Sequence, residues 1–357
     1  MRTWIPSLFI LAPLVCCASL CLIAKDKKSK SYDELPILEP KKKPGDDATQ
    51  TLPLPKEPPA AVAADPRRLI FQTSPLSAKG LLTSQTRDAL HALLRTNRTA
   101  TIVKLRAFVA GSGDMRRVQD LAAEVFAEKH QPMPALSIVQ AGALPLEGAQ
   151  VVIESIAEDK RVANPNGLIF VSAQTGANVG AALDKVRVVL RQAGVEPVGV
   201  LRVTCFVGAL GSAKDGPPAV FPEVSFNLVQ MQREAVRPVA ACDAIARLSA
   251  PESEPLRLVN GAALVSAPRV AFSGMQLGFG SQPGDIRMAL DRLQKALASV
   301  HSDLQNTAIL HAYVMSNSQA EKIRAAVPAW AATFVPMEGL PSLDAAFAMD
   351  VVALAKE

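Results

Sequence analysis

Leu105-Arg106-Ala107-Phe108-Val109 returns as Val203-Thr204-Cys205-Phe206-Val207 and again as Leu310-His311-Ala312-Tyr313-Val314. Two more segments recur in step with it. One opens each copy: Ile70-Phe71-Gln72-Thr73-Ser74, Ile169-Phe170-Val171-Ser172-Ala173 and Ala271-Phe272-Ser273-Gly274-Met275. The other closes each copy: Ile153-Glu154-Ser155-Ile156-Ala157, Cys242-Asp243-Ala244-Ile245-Ala246 and Met349-Asp350-Val351-Val352-Ala353. A repeat of about 100 residues is domain-sized, well beyond the roughly 20–50 residues of a solenoid unit. The chain therefore reads as three diverged copies of one domain, with any ligand site expected between copies.

The first copy shows the order of elements. Leu69 to Thr73 reads as a short strand ended by Pro75. Ser84 to Leu94 has helical spacing, with Leu90, Leu93 and Leu94 on one face and Ser84 as its expected N-cap. Ile102 to Ala110 is a strand. Asp114 is placed to cap a helix from Met115 to His130, and Leu136 to Gln140 and Val151 to Ala157 are strands. The second copy keeps the first helix, Gly180 to Gln192, but has a Gly/Pro-rich stretch from Gly211 to Pro222 where the second is expected. The third has helices over Asp285 to Val300 and Ser318 to Ala326. The expected fold is α+β, built from β-α-β-α-β-β domains over 66–160, 164–250 and 256–357.

Composition agrees with a globular body: 49% of the 357 residues are apolar and 20% charged. The formal charge of +5 is spread among acids, so no basic stripe marks a nucleic-acid surface. Thr3 to Ala24 carries no charge and is long enough to span a bilayer. A membrane anchor or a cleaved signal peptide both fit residues 1–24, with a lipoprotein as a third reading of Cys16, Cys17 and Cys21. Lys25, Lys27, Lys28 and Lys30 follow, which by positive-inside logic puts the body in the cytoplasm; an exported body is the alternative. Residues 25–65 read as a disordered Pro/Lys-rich spacer. Cys205 and Cys242 read as two buried thiols, with a disulfide open only to adjacent strands. No Cys/His spacing indicates a metal, and no phosphate loop or hydrolase motif indicates a cofactor.

These motifs resemble the Rid (YjgF) family, once labelled L-PSP endoribonucleases. The resemblance is carried by Gln85, Ile102 to Val109, Met133-Pro134-Ala135, Leu144-Pro145 and Val152 to Ala157, with Phe170 to Gly176 and Phe272 to Gln276 from the later copies. It implies a chorismate-mutase-like fold that assembles as a trimer around a central barrel. Three linked copies would then form an intramolecular pseudo-trimer, monomeric as a chain. It also implies hydrolysis of enamines and imines between subunits. There an Arg after Pro-Ala holds the substrate carboxylate, and a Glu two residues before the closing acid positions water. Here those positions are Leu136 and Val152; around Asn227 and Ala332, and at Ala241 and Ala348, the other copies offer neither residue.

No residue is assigned a catalytic role. The ligand-binding candidates are Arg233 and Arg237 as an anion clamp, Gln174 and Gln276 beside the opening strands, and the closing acids Glu154, Asp243 and Asp350. Exposed loop arginines and buried hydrogen-bonded acids are the plainer readings. His311 on its strand reads as structural. The expected function is a Rid-like protein, degenerate at the standard positions, holding a small imino- or oxo-acid-like ligand between domains. The alternatives are an active deaminase, hence a hydrolase, with a rebuilt site, or a membrane-tethered scaffold.

Overall fold

The computed structural model describes residues 57–111, 113–212, 221, 224–233 and 239–356. In chain order the strands and helices are β1 (Ala61–Ala64), β2 (Leu69–Thr73), α1 (Leu82–Thr96), β3 (Thr101–Ala110), α2 (Met115–Glu128), β4 (Ala135–Ala141) and β5 (Val151–Glu158). Then come β6 (Leu168–Gly176), α3 (Val179–Gln192), β7 (Val200–Val207), β8 (Ser225–Gln230) and β9 (Ala240–Arg247). A hairpin, β10 (Leu256–Val259) and β11 (Ala262–Val265), precedes β12 (Arg269–Ser273), β13 (Gln276–Gly278), α4 (Pro283–Ala298), β14 (Ser302–Val314), α5 (Asn317–Ala326), β15 (Ala331–Pro336) and β16 (Phe347–Ala355).

Three sheets share one strand order: β2-β5-β3-β4, β6-β9-β7-β8 and β12-β16-β14-β15. In each, the opening and middle strands run antiparallel to the closing strand, and the middle strand pairs in parallel with the last. A parallel pair needs a crossover. The first sheet uses α2 and the third uses α5. Among the described residues no α-helix joins β7 to β8, and most of the Gly/Pro-rich stretch lies outside them.

Local chemistry explains the helices. On α1, Ala89, Leu90 and Leu93 form the buried stripe. Its N-cap is Leu81 and not the expected Ser84, because the helix starts two residues earlier and its first turn has no side-chain cap. Asp114 does cap α2, accepting from the Arg116 amide at 2.9 Å, and Asn178 caps α3 through the Ala181 amide at 2.9 Å.

Every opening strand meets another copy. Thr73 Oγ1 lies 2.9 Å from Ser225 Oγ, the Ala173 amide donates to Thr333 Oγ1 at 2.9 Å, and the Met275 amide donates to the Leu136 carbonyl at 3.1 Å. First meets second, second meets third, third meets first. This is the head-to-tail ring of a trimer, closed within one chain. Each sheet has a helix-side core, and inside the ring lie two apolar layers. One contains Phe71, Phe170 and Phe272; the other contains Phe108, Phe206 and Tyr313.

Several expectations are corrected. The spacer does not extend to 65, since Ala61–Ala64 is a strand along β12; residues 1–56, including the uncharged stretch, lie outside the described residues. No helix among the described residues is long and apolar enough to cross a membrane. Residues 256–265, expected to open the third domain, extend the second sheet through β11 and β6. Their two-residue turn has positive φ at Asn260 (44°) and Gly261 (79°), which suits an Asn-Gly hairpin. Cys205 and Cys242 are not separate thiols. They face each other directly across β7 and β9 and form a disulfide.

Candidate functional site

Strand alternation sends every second side chain toward the ring axis. The register then builds one polar layer between the two apolar ones. Arg106 stands opposite Glu154, Thr204 opposite Asp243, and His311 opposite Asp350. The parallel strands add Ser137, Asn227 and Thr333 beside Arg106, Thr204 and His311. Lys104 and Arg202 enter two residues before Arg106 and Thr204, where the third copy has Ile309. All these groups but Ile309 are buried polar or charged side chains.

Glu154 is the hub. Its Oε2 accepts from Arg106 Nε at 2.7 Å, and its Oε1 accepts from Thr204 Oγ1 at 2.7 Å and Asn227 Nδ2 at 2.8 Å. Arg202 Nη1 stands 3.7 Å away. Arg106 also donates to Thr204 Oγ1 at 2.8 Å and reaches Asp243 at 3.4 Å. Asp350 accepts from Ser137 Oγ at 2.5 Å and has His311 Nδ1 at 3.1 Å and Lys104 Nζ at 3.6 Å. Lys104 donates to Ser137 Oγ at 2.8 Å and to the Ser273 carbonyl of the third copy at 2.6 Å.

Burial alone would raise the Glu154 carboxyl; the Arg106 and Arg202 guanidiniums, with Asn227 and Thr204, hold it below its ordinary value. Burial likewise opposes ionisation of Asp350, yet Lys104 and the His311 and Ser137 bonds bring it well below the carboxylate range. Lys104 is lowered because its desolvation exceeds the pull of Asp350. A cavity of about 30 Å³ at this layer is lined by Arg202, Asp243 and His311 among others. That is room for about one or two waters, not for a metabolite.

The positions that the resemblance made catalytic do not converge. Leu136 packs in the first copy's helix-side core, and Val152 packs in an axial layer beside Phe108. Register places Phe226, one residue before the expected Asn227, at the Leu136 position of the second copy, and Ala332 there in the third. Asn227 instead faces the axis. Ala241 and Ala348 match Val152.

The candidates are scattered as well as gathered. Glu154, Asp243 and Asp350 share the axial layer. Gln174 is half-buried and donates to the Ser172 carbonyl at 2.9 Å, while Gln276 is half-buried on β13. Arg233 is exposed, with its Nε 3.6 Å from Glu338 of the third copy, away from the buried Asp243. Arg237 lies outside the described residues. Sequence reasoning missed Lys104, Arg106 and Arg202 as site residues. The available signal was two cations at alternate positions of an otherwise apolar strand, Lys104 and Arg106.

Two inter-copy clefts have ligand-sized volumes. One, about 540 Å³ between the first and third copies, is lined by Asp114, Gln140, Glu338 and Leu343. Its acids are committed, Asp114 to the α2 cap and Glu338 to Arg233. The other, about 280 Å³ between the first and second copies, is lined by Ile70, Gln72, Asn164, Leu201, Ser225 and Arg247, among others. Among the described residues no three or more His, Cys, Asp or Glu side chains are grouped to hold a metal.

Among solved structures, the chain is similar in part to the YjgF gene product of E. coli (24% identity, 29% of this chain and 94% of that one, TM-score 0.24). It is similar to the Rid protein YyfB of Yersinia pestis (22% identity, 26% and 78%, TM-score 0.22). It is also similar to a chorismatase (11% identity, 80% and 98%, TM-score 0.22). No curated protein matches it. The sequence profile described as endoribonuclease L-PSP matches residues 66–159. The profile thus marks the first copy, residues 66–159, as similar to the endoribonuclease L-PSP family, and the other two sheets repeat that copy's strand order and register.

Proposed function

We propose that the protein is a non-hydrolytic member of its family that binds a small carboxylated metabolite between its copies. One observation carries this reading: at the two register positions where a guanidinium and a carboxylate would work on an imino acid, all three copies have apolar residues. These are Leu136, Phe226 and Ala332, and Val152, Ala241 and Ala348. The buried cations do not substitute, because Lys104, Arg106 and Arg202 face three carboxylates in a layer too small for substrate. Losing a charge-assisted clamp removes about 1.5–3 kcal/mol per hydrogen bond, or roughly 10- to 100-fold in transition-state binding.

The test is imine hydrolysis. With 2-imino acids released from serine or threonine by a dehydratase, the chain is expected to leave the spontaneous rate unchanged. Turnover at the rate of an active deaminase control would overturn the reading.

The Cys205–Cys242 disulfide supports an oxidising compartment for the body, since such bonds are rare where thiols are kept reduced. This favours export, or an anchor with the body outside, over the cytoplasmic placement suggested by the lysines after residue 24. RNA is not an expected partner, because the clustered cations are buried and paired.

A further inference from the structure

We infer that the groove between α4 and α5 is a docking surface for an acidic amphipathic helix of a partner protein. All residues lining it belong to the third copy, so it is separate from the clefts between copies.

The first copy shows what covers this face. α1 and α4 bury the same stripe: Thr86, Ala89 and Leu93 in one, Ile286, Ala289 and Leu293 in the other. That register sets Arg287 at the place of Arg87 and Leu290 at the place of Leu90. In the first copy α2 runs for 14 residues and brings Val125 and Phe126 into the core that holds Leu90. Leu90 is left 1% exposed. The same stretch of α2 carries Glu124 and Glu128, and both pair with Arg87, Glu128 at 3.4 Å.

The third copy lacks this cover. α5 has only 10 residues, and Ile323 is its one large apolar side chain that is buried. Leu290 therefore stays half-buried. A groove of about 510 Å³ remains, with Ile286, Leu290, Ala325 and Ala326 among its apolar lining. Arg287 and Lys322 are its charged residues, and no acid lines it. Arg287 is exposed and has no ion pair among the described residues; Lys322 reaches Ser281 Oγ at 3.3 Å and no carboxylate.

The occupant's chemistry follows from the cover that is missing. It is a helix with two carboxylates one turn apart and large apolar side chains beside them, as in Glu124-Val125-Phe126 and Glu128 of α2. Its apolar face would complete the burial of Leu290, the helix-in-groove mode of recognition. Its carboxylates would meet Arg287 and Lys322, and that charge match selects an acidic helix over a basic one.

Fluorescence anisotropy with a labelled peptide of residues 114–130, added to the full chain, tests this. The peptide is expected to bind saturably in the micromolar range. Arg287→Glu, at an exposed position, should melt like the parent and weaken binding about tenfold or more. A peptide carrying Glu124→Lys and Glu128→Lys should bind the parent as weakly, and should regain affinity for the Arg287→Glu chain. No saturable binding, equal affinity in Arg287→Glu, or equal binding of the two peptides would overturn the proposal. Self-association of the full chain that Arg287→Glu abolishes would put a second copy in the groove, and would overturn the partner helix as well.

Discussion

Glu154→Gln isolates the value of the axial layer. The substitution keeps shape and volume but removes one of three carboxylates facing three cations. It also breaks the donor pattern. Both Glu154 oxygens accept, from Arg106 on one side and from Thr204 and Asn227 on the other. A glutamine must turn its NH₂ toward one set of donors, so neither orientation satisfies the site. Arg106 and Arg202 are then left undercompensated in a buried layer. Breaking a buried pair by removing one partner costs about 3–5 kcal/mol, roughly a 5–8 °C fall in Tm for a body of about 300 residues. Differential scanning calorimetry at pH 7 measures it, with Glu338→Gln as the control. Glu338 meets the exposed Arg233, so that change should cost less than ~1 kcal/mol. A Glu154→Gln protein melting within about 2 °C of the parent would refute the claim that the layer depends on matched charge.

Acid should unfold the molecule through the same groups. Glu154 and Asp350 are held below their ordinary values, so their contribution is present above pH ~4 and lost as pH falls through the folded values; Tm should be flat from pH 7 to 5 and drop steeply below 4, less so in Glu154→Gln. Peptide mapping without reductant should recover Cys205 linked to Cys242, and Cys205→Ser/Cys242→Ser should lose ~4 kcal/mol by loop-closure entropy over 37 residues; free thiols at both positions would contradict the cross-strand bond. Residues 57–357 should sediment as one chain, because the ring is already closed; a trimer of chains would show that it is not.

The repeat, the order of strands and helices along the chain and the equivalence of Glu154, Asp243 and Asp350 were legible in the sequence because each depends on local pattern. Alternation says which face a residue takes, and a recurring motif says where the next copy begins. Composition also marked the Gly/Pro-rich stretch of the middle copy, most of which lies outside the described residues. What local pattern cannot say is which strand arrives opposite. Arg106 meets Asp243 across 137 residues, and Ser137 meets Asp350 across 213. Local pattern gives Cys205 and Cys242 only as two buried residues; the pairing of β7 with β9 is what sets them opposite each other. Arg233 and Arg237 drew notice by being close in sequence, whereas Arg247 and Asn164 share a cleft only because the first and second copies close on each other. The sequence by itself determined three like domains and which side chains face inward. The tertiary structure alone decided which charges compensate one another and where an arginine remains uncommitted, because burial and Coulomb energy depend on distances that only the closed ring sets.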